Sequence, residues 1–138
     1  MGCARYMRQW HRPVHVVAVD CVGSVTFGGK SARRMIPGLG TTVRPDHLDE
    51  SFVDEVMMVE EPDTIRTCYK LAKHGFLFGG STGTVVSAAI KWLEQHPEKE
   101  VTAVAIAPDL GERYVDTVYD HEWVQESFGE ELLNSLSG

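Results

Sequence analysis

The chain has 138 residues, 43% of them apolar and 24% charged, a length and balance that suit one folded domain burying about two-thirds of its unfolded surface. A formal net charge of -7 excludes the electrostatic footprint of a nucleic-acid or anionic-membrane binder, because both surfaces would repel it. No apolar run approaches the roughly 20 residues of a membrane span, and the N-terminus lacks a basic-then-apolar secretion signal, so a cytoplasmic location is expected.

Residues 4–10, with apolar Tyr6, Met7 and Trp10 among helix formers, read as the last turns of a helix closed by Pro13. The β-branched run Val14, Val16, Val17, Ala18 and Val19 predicts a buried strand ending at Asp20. From Gly23 to Thr42 glycines and basic residues occur without a period, so a long and therefore functional loop is expected. Val53 and Val56 to Val59 predict a second strand; Pro62 and Asp63 then open a helix through Ile65, Cys68, Tyr69, Leu71 and Ala72, which Gly75 ends.

Phe76, Leu77 and Phe78 predict a short strand running into Gly79-Gly80-Ser81-Thr82-Gly83, after which Val85, Val86, Ala89, Ile90 and Leu93 recur at helical spacing as far as Pro97. Val101 to Ala107 is a continuous apolar run of the kind buried on both faces of a parallel sheet. Pro108 to Glu112 turn the chain, and Trp123, Val124, Phe128, Leu132, Leu133 and Leu136 predict one more helix on the body. Strands alternating with helices give an α/β class: an open, mostly parallel sheet with helices on both faces, whose ligands bind outside the strand carboxyl ends. The loops 79–83 and 108–113 lie at such ends.

In Gly79 to Gly83 small residues let a ligand approach the backbone, Ser81 or Thr82 can cap the following helix, and the helix dipole favours an acceptor. A plain strand-to-helix turn explains the same residues equally well. The spacing is neither that of a dinucleotide loop nor that of a P-loop. Asp109, Glu112 and Arg113 read either as a ligand loop or as a solvated turn; Arg33, Arg34 and Arg44 as a carboxylate clamp or as a solvated basic patch. Lys70, Lys73, Lys91 and Lys99 sit on or beside helices among polar residues, so exposure is expected, and Lys30 in its glycine loop is a poor Schiff-base nucleophile. Cys3, Cys21 and Cys68 are odd in number and scattered, which suits free thiols. His11 and His15 have the spacing of a helical metal pair, but Pro13 between them breaks that helix, and no metal site is expected.

Four segments in unbroken order carry a resemblance: Val16-Val17-Ala18-Val19-Asp20, Ile36-Pro37-Gly38-Leu39-Gly40, Gly79-Gly80-Ser81-Thr82-Gly83, and Pro108-Asp109-Leu110-Gly111-Glu112-Arg113-Tyr114. Together they resemble the second half of the cysteine-synthase family of pyridoxal 5'-phosphate (PLP) enzymes, which includes O-acetylserine sulfhydrylase and cystathionine β-synthase, over roughly residues 3–126. Within it, the stretches 23–30, 34–40 and 112–119 are most similar to N-(2-amino-2-carboxyethyl)-L-glutamate synthases of siderophore biosynthesis. Leu110, where relatives more often have a small or polar residue, is a departure.

The resemblance implies a large-domain fragment of a fold-type II enzyme. The Ser81 hydroxyl would bond the pyridine nitrogen of PLP, Gly79 and Gly80 would clear space for the ring, Pro108 and Asp109 would line the same pocket, and the loop Gly38-Leu39-Gly40 would border the substrate. The implied reaction is β-replacement, in which O-phosphoserine loses phosphate and the amine of glutamate takes its place, with sulfide as acceptor in the cysteine-synthase alternative. Residues 1–138 would then be the C-terminal part, since Met1 and Gly2 stand where the family continues without a break. The cofactor lysine, the asparagine-containing substrate loop and the phosphate cradle would precede it. None of its own residues would be catalytic, the chain alone would be inactive, and the intact enzyme would be a homodimer acting on small amino acids. A non-catalytic module, pairing through surface beside Tyr6, Met7 and Trp10, is the alternative from another class, with a nucleotide-binding domain behind it.

Overall fold

The computed structural model describes residues 2–9, 14–97 and 100–136. Helix α1 (Gly2–Arg8) precedes strand β1 (Val17–Cys21), which pairs in parallel with β2 (Glu55–Val59) from Val17↔Glu55 to Cys21↔Val59. Parallel partners require a crossover of a dozen or more residues, here the long loop expected from its glycines, with one 3-10 turn at Glu50–Phe52. Helices α2 (Glu61–Lys73) and α3 (Gly80–Gln95) follow, then α4 (His121–Phe128) and α5 (Glu130–Ser135). The architecture is α/β, as the alternation of strand and helix patterns requires. No helix among the described residues is long and apolar enough to cross a membrane.

Local chemistry accounts for the helix bounds. In α2, Pro62 and the acidic Glu61 and Asp63 occupy the first turn, and Lys70 and Lys73 the last, each complementing the helix dipole. Gly75 adopts φ +87, and the bonds Gly75 N to Ala72 O (2.9 Å) and Phe76 N to Leu71 O (3.0 Å) close the helix in a Schellman arrangement. α3 lies against α2, where the Thr64 and Thr84 hydroxyls meet at 2.8 Å. Gly83 permits that approach: a Cβ there would stand 2.9 Å from the Thr64 carbonyl oxygen.

α3 also covers one side of the sheet, Trp92 Nε1 donating to Glu55 Oε2 at 2.9 Å. Alternation along β2 turns Val56 and Met58 to the other side, where both are exposed. The core joins Cys21, Ile36, Leu39, Ile65, Cys68, Tyr114, Val118, Val124, Leu132 and Leu136. It ties the loop after β1 to α2 and to the C-terminal helices.

Four expectations are corrected. β1 begins at Val17 rather than Val14, and only its last two residues are buried; the Val16 amide is already engaged by the Asp54 carboxylate at 2.7 Å. Residues 76–78 form no strand but one antiparallel bridge, Phe78↔Leu110. Val101 to Ala107 is exposed, with Val104 at 86% and Ile106 at 60%, and belongs to no ladder among the described residues. A strand is a property of two segments, and apolar content alone supplies only one of them. The tail, expected as one helix, is two, because Gly129 at φ +90 stops α4. Tyr6 and Met7 are exposed, whereas Met1, Trp10, His11, Pro13 and Lys99 lie outside the described residues.

Candidate functional site

The first turn of α3 follows Gly79, whose extended backbone (φ -85, ψ 179) makes it the N-cap, without a side chain to satisfy the first amides. Ser81 and Thr82 sit inside the helix, two and three positions past the N-cap, so the expectation that either would cap it gives way. The cap comes from Asp109 across the turn. Its Oδ1 accepts from Thr82 N (2.8 Å) and Thr82 Oγ1 (2.7 Å), and its Oδ2 from Ser81 N (3.0 Å) and the Tyr114 hydroxyl (2.7 Å). The Gly79 amide donates to the Asp109 carbonyl oxygen at 3.1 Å.

Burial alone would raise the Asp109 pKa. The hydrogen bonds from Thr82, Tyr114 and Ser81 outweigh it, and the carboxyl is held below its ordinary value. Asp109 is therefore no solvated turn residue, whereas Glu112 and Arg113 beside it are exposed. Tyr114 moves the opposite way, to about 12, through burial first and then the hydrogen bond and charge of Asp109; the Ser81 side chain beside its hydroxyl partly offsets the rise.

The Tyr114 ring closes over the two glycines. A Cβ on Gly79 would stand 2.5 Å from Tyr114 Cε2, and one on Gly80 2.7 Å from Ile36 Cγ2. Both glycines are buried and serve this packing, while Ser81 is half-buried and Pro108 exposed. Glu61 fastens the 36–40 loop, accepting from the amides of Met35 (2.8 Å) and Ile36 (2.6 Å). Leu39 is buried in the core, Gly38 exposed and Gly40 half-buried. The structure thus brings the 36–40, 79–83 and 108–114 segments to one place, through Ile36 against Gly80 and Asp109 against Ser81 and Thr82.

Other candidates go elsewhere. Arg34 donates to the carbonyls of Leu39 (2.8 Å), Gly23 and Ala32, Arg44 pairs with Glu50, and Arg33 is exposed, so they form no joint clamp. Lys30 is exposed; Lys73 donates to the Leu136 carbonyl at 3.0 Å, and Lys91 pairs with Asp63 at 2.5 Å. Arg66 shares Asp63 at 3.0 Å, so two cations of the groove between α2 and α3 are paired. His15 meets Glu55 at 3.1 Å. Sequence reasoning missed Tyr114 and Ile36 as parts of the site, because nothing in local periodicity marks an aromatic that packs on glycines 34 and 35 positions earlier.

Burial pushes the Cys68 thiol up to about 12 and that of Cys21 to about 11, so neither is a thiolate near neutral pH. Cys3 is exposed. In the folded chain a thiol-reactive chromophore is therefore expected to label one cysteine quickly, and all three only after denaturation; fast labelling of two or three in the folded chain would contradict the burial.

No protein-family model matches the chain. Among solved structures it is similar to a cysteine synthase (OASS) from Entamoeba histolytica, with TM-score 0.80 and 28% identity over 98% of this chain and 40% of that one. An O-acetylserine dependent cystathionine beta-synthase from Helicobacter pylori aligns with TM-score 0.72 and 29% identity over 84% of this chain and 38% of that one. An O-ureido-L-serine synthase gives TM-score 0.78 and 28% identity, over 99% of this chain and 43% of that one. The chain spans about 40% of the length of the cysteine synthase it matches. These neighbours share its α/β fold and support the cysteine-synthase family.

Proposed function

We propose that the chain forms one wall of the cofactor site in a PLP-dependent β-replacement enzyme of the cysteine-synthase type. The single observation that carries this reading is the placement of Ser81: a half-buried hydroxyl on the first turn of α3, with its backbone amide already engaged by Asp109. Its hydroxyl, next to Tyr114, is the group that would meet a ligand.

The residues present fit one edge of the cofactor rather than its phosphate. The amides of Ser81 and Thr82, which would otherwise attract an anion at this helix terminus, are held by Asp109. That favours a weakly polar partner such as a ring nitrogen, and disfavours the nucleotide alternative. PLP, when bound, supplies an electron sink for loss of a substituent from the β-carbon of an amino acid. Ser81 would hold the pyridine nitrogen through a neutral hydroxyl, which does not enforce a protonated ring as a carboxylate would. Ile36 and Tyr114 fix the glycine turn behind it, and the exposed Gly38 end of the 36–40 loop would border the substrate.

For the whole enzyme, the resemblance carried by 23–30, 34–40 and 112–119 favours O-phosphoserine as donor and glutamate as acceptor, with the enzyme acting as a homodimer. The test is substitution at Ser81. In the full-length enzyme, Ser81→Asp is expected to change the PLP absorption spectrum and slow β-replacement; an unaltered spectrum and rate would reject the assignment. Isotope-labelled glutamate appearing in a product of O-phosphoserine would support the acceptor, and preferential use of sulfide would return the cysteine-synthase alternative.

A further inference from the structure

We infer that Asp109 and Tyr114 are positioning residues for Ser81, setting where its hydroxyl stands without touching the ligand themselves. The inference rests on the proposed role of Ser81 and adds two residues to it.

An ionised carboxylate offers about four lone-pair sites and no proton. All four are taken in Asp109 by donors of its own chain: Thr82 N and Oγ1 on one oxygen, Ser81 N and the Tyr114 hydroxyl on the other. No acceptor capacity is left for a bound molecule, so whatever Asp109 contributes to the site it contributes through α3. Because Ser81 N and the Tyr114 hydroxyl share one atom, Oδ2, the start of the helix and the aromatic ring are locked to a common point. The ring is wedged in turn against Gly79 and Gly80, where a Cβ would stand 2.5 Å from Cε2 and 3.3 Å from Cε1.

The Tyr114 proton is directed at Asp109, which can only accept, so the ring is held by the same carboxylate oxygen that holds the Ser81 amide.

Site-resolved amide hydrogen exchange on the full chain tests the inference without cofactor. Asp109→Asn is expected to speed exchange at Ser81 and Thr82 about tenfold or more, the effect of weakening a charge-assisted hydrogen bond, while Val124 in α4 keeps its wild-type rate. Tyr114→Phe, a milder change, is expected to act chiefly at Ser81. In the wild type the Ser81 and Thr82 amide proton shifts should titrate together with a midpoint below 3.8, the ordinary carboxyl value, and Asp109→Asn should abolish that titration. Unchanged exchange at both amides, or a uniform rise across the chain, overturns the inference. In the full-length enzyme, Ser81→Ala with bound PLP as probe separates the two readings. Flat exchange alongside a spectral response to Ser81→Ala removes the positioning role alone, and selective exchange alongside an unresponsive spectrum removes the cofactor assignment alone.

Discussion

Asp109→Ala is expected to lower the unfolding free energy by about 3 kcal/mol at neutral pH, the scale of one or two hydrogen bonds to a charged group once non-additivity is allowed for. The substitution leaves the Ser81 and Thr82 amides and the Tyr114 hydroxyl without their acceptor. It also exposes the positive end of the α3 dipole, with no side chain on Gly79 to compensate. The effect is pH-dependent in a defined direction. The folded-state pKa of Asp109 lies below its ordinary 3.8, so its contribution is complete above 3.8 and is lost as pH falls through the lower folded value. Urea midpoints of wild type and variant should therefore differ most near neutrality and converge in acid; a constant difference would mean that the carboxylate charge plays no part.

Gly40→Ala is expected to cost about 2–5 kcal/mol, and Gly38→Ala only about 1–2 kcal/mol, although the two stand in the same loop. Both have positive φ, +69 and +73, which costs an L-residue about 1–2 kcal/mol. They differ in surroundings. A Cβ at Gly40 would lie 2.5 Å from Cys21 Sγ and 2.7 Å from Ser24 Cβ, whereas at Gly38 nothing lies within 4 Å. Overpacking of this kind adds about 1–3 kcal/mol. Denaturation of the two variants side by side isolates the packing contribution, and equal losses would show that backbone conformation alone demands glycine here. Any spread of the damage should reach Leu39, which anchors the loop in the core at 6% exposure.

Much of the scaffold was legible residue by residue. Proline in the first turn and Gly75 after the last bounded α2, a 3.6-residue apolar period marked α3, a β-branched run marked β1 and a short apolar run marked β2. Each signal is local, because caps, turns and helix faces involve residues within about four of one another. The exposed run 101–107 carried the same kind of signal as β1 and failed, because ladder pairing needs a second segment that composition cannot specify.

For the candidate site the division is sharper. By itself the sequence determined where a backbone turn rich in small residues opens a helix, and placed two hydroxyls, Ser81 and Thr82, on its first turn. Only the tertiary structure decided that the anion seated on that turn is the chain's own Asp109, 28 positions beyond Ser81, and that Tyr114 closes over Gly79 and Gly80. The physical reason is the reach of the interactions: a helix terminus advertises unsatisfied donors locally, but its acceptor is chosen by the path of the whole chain.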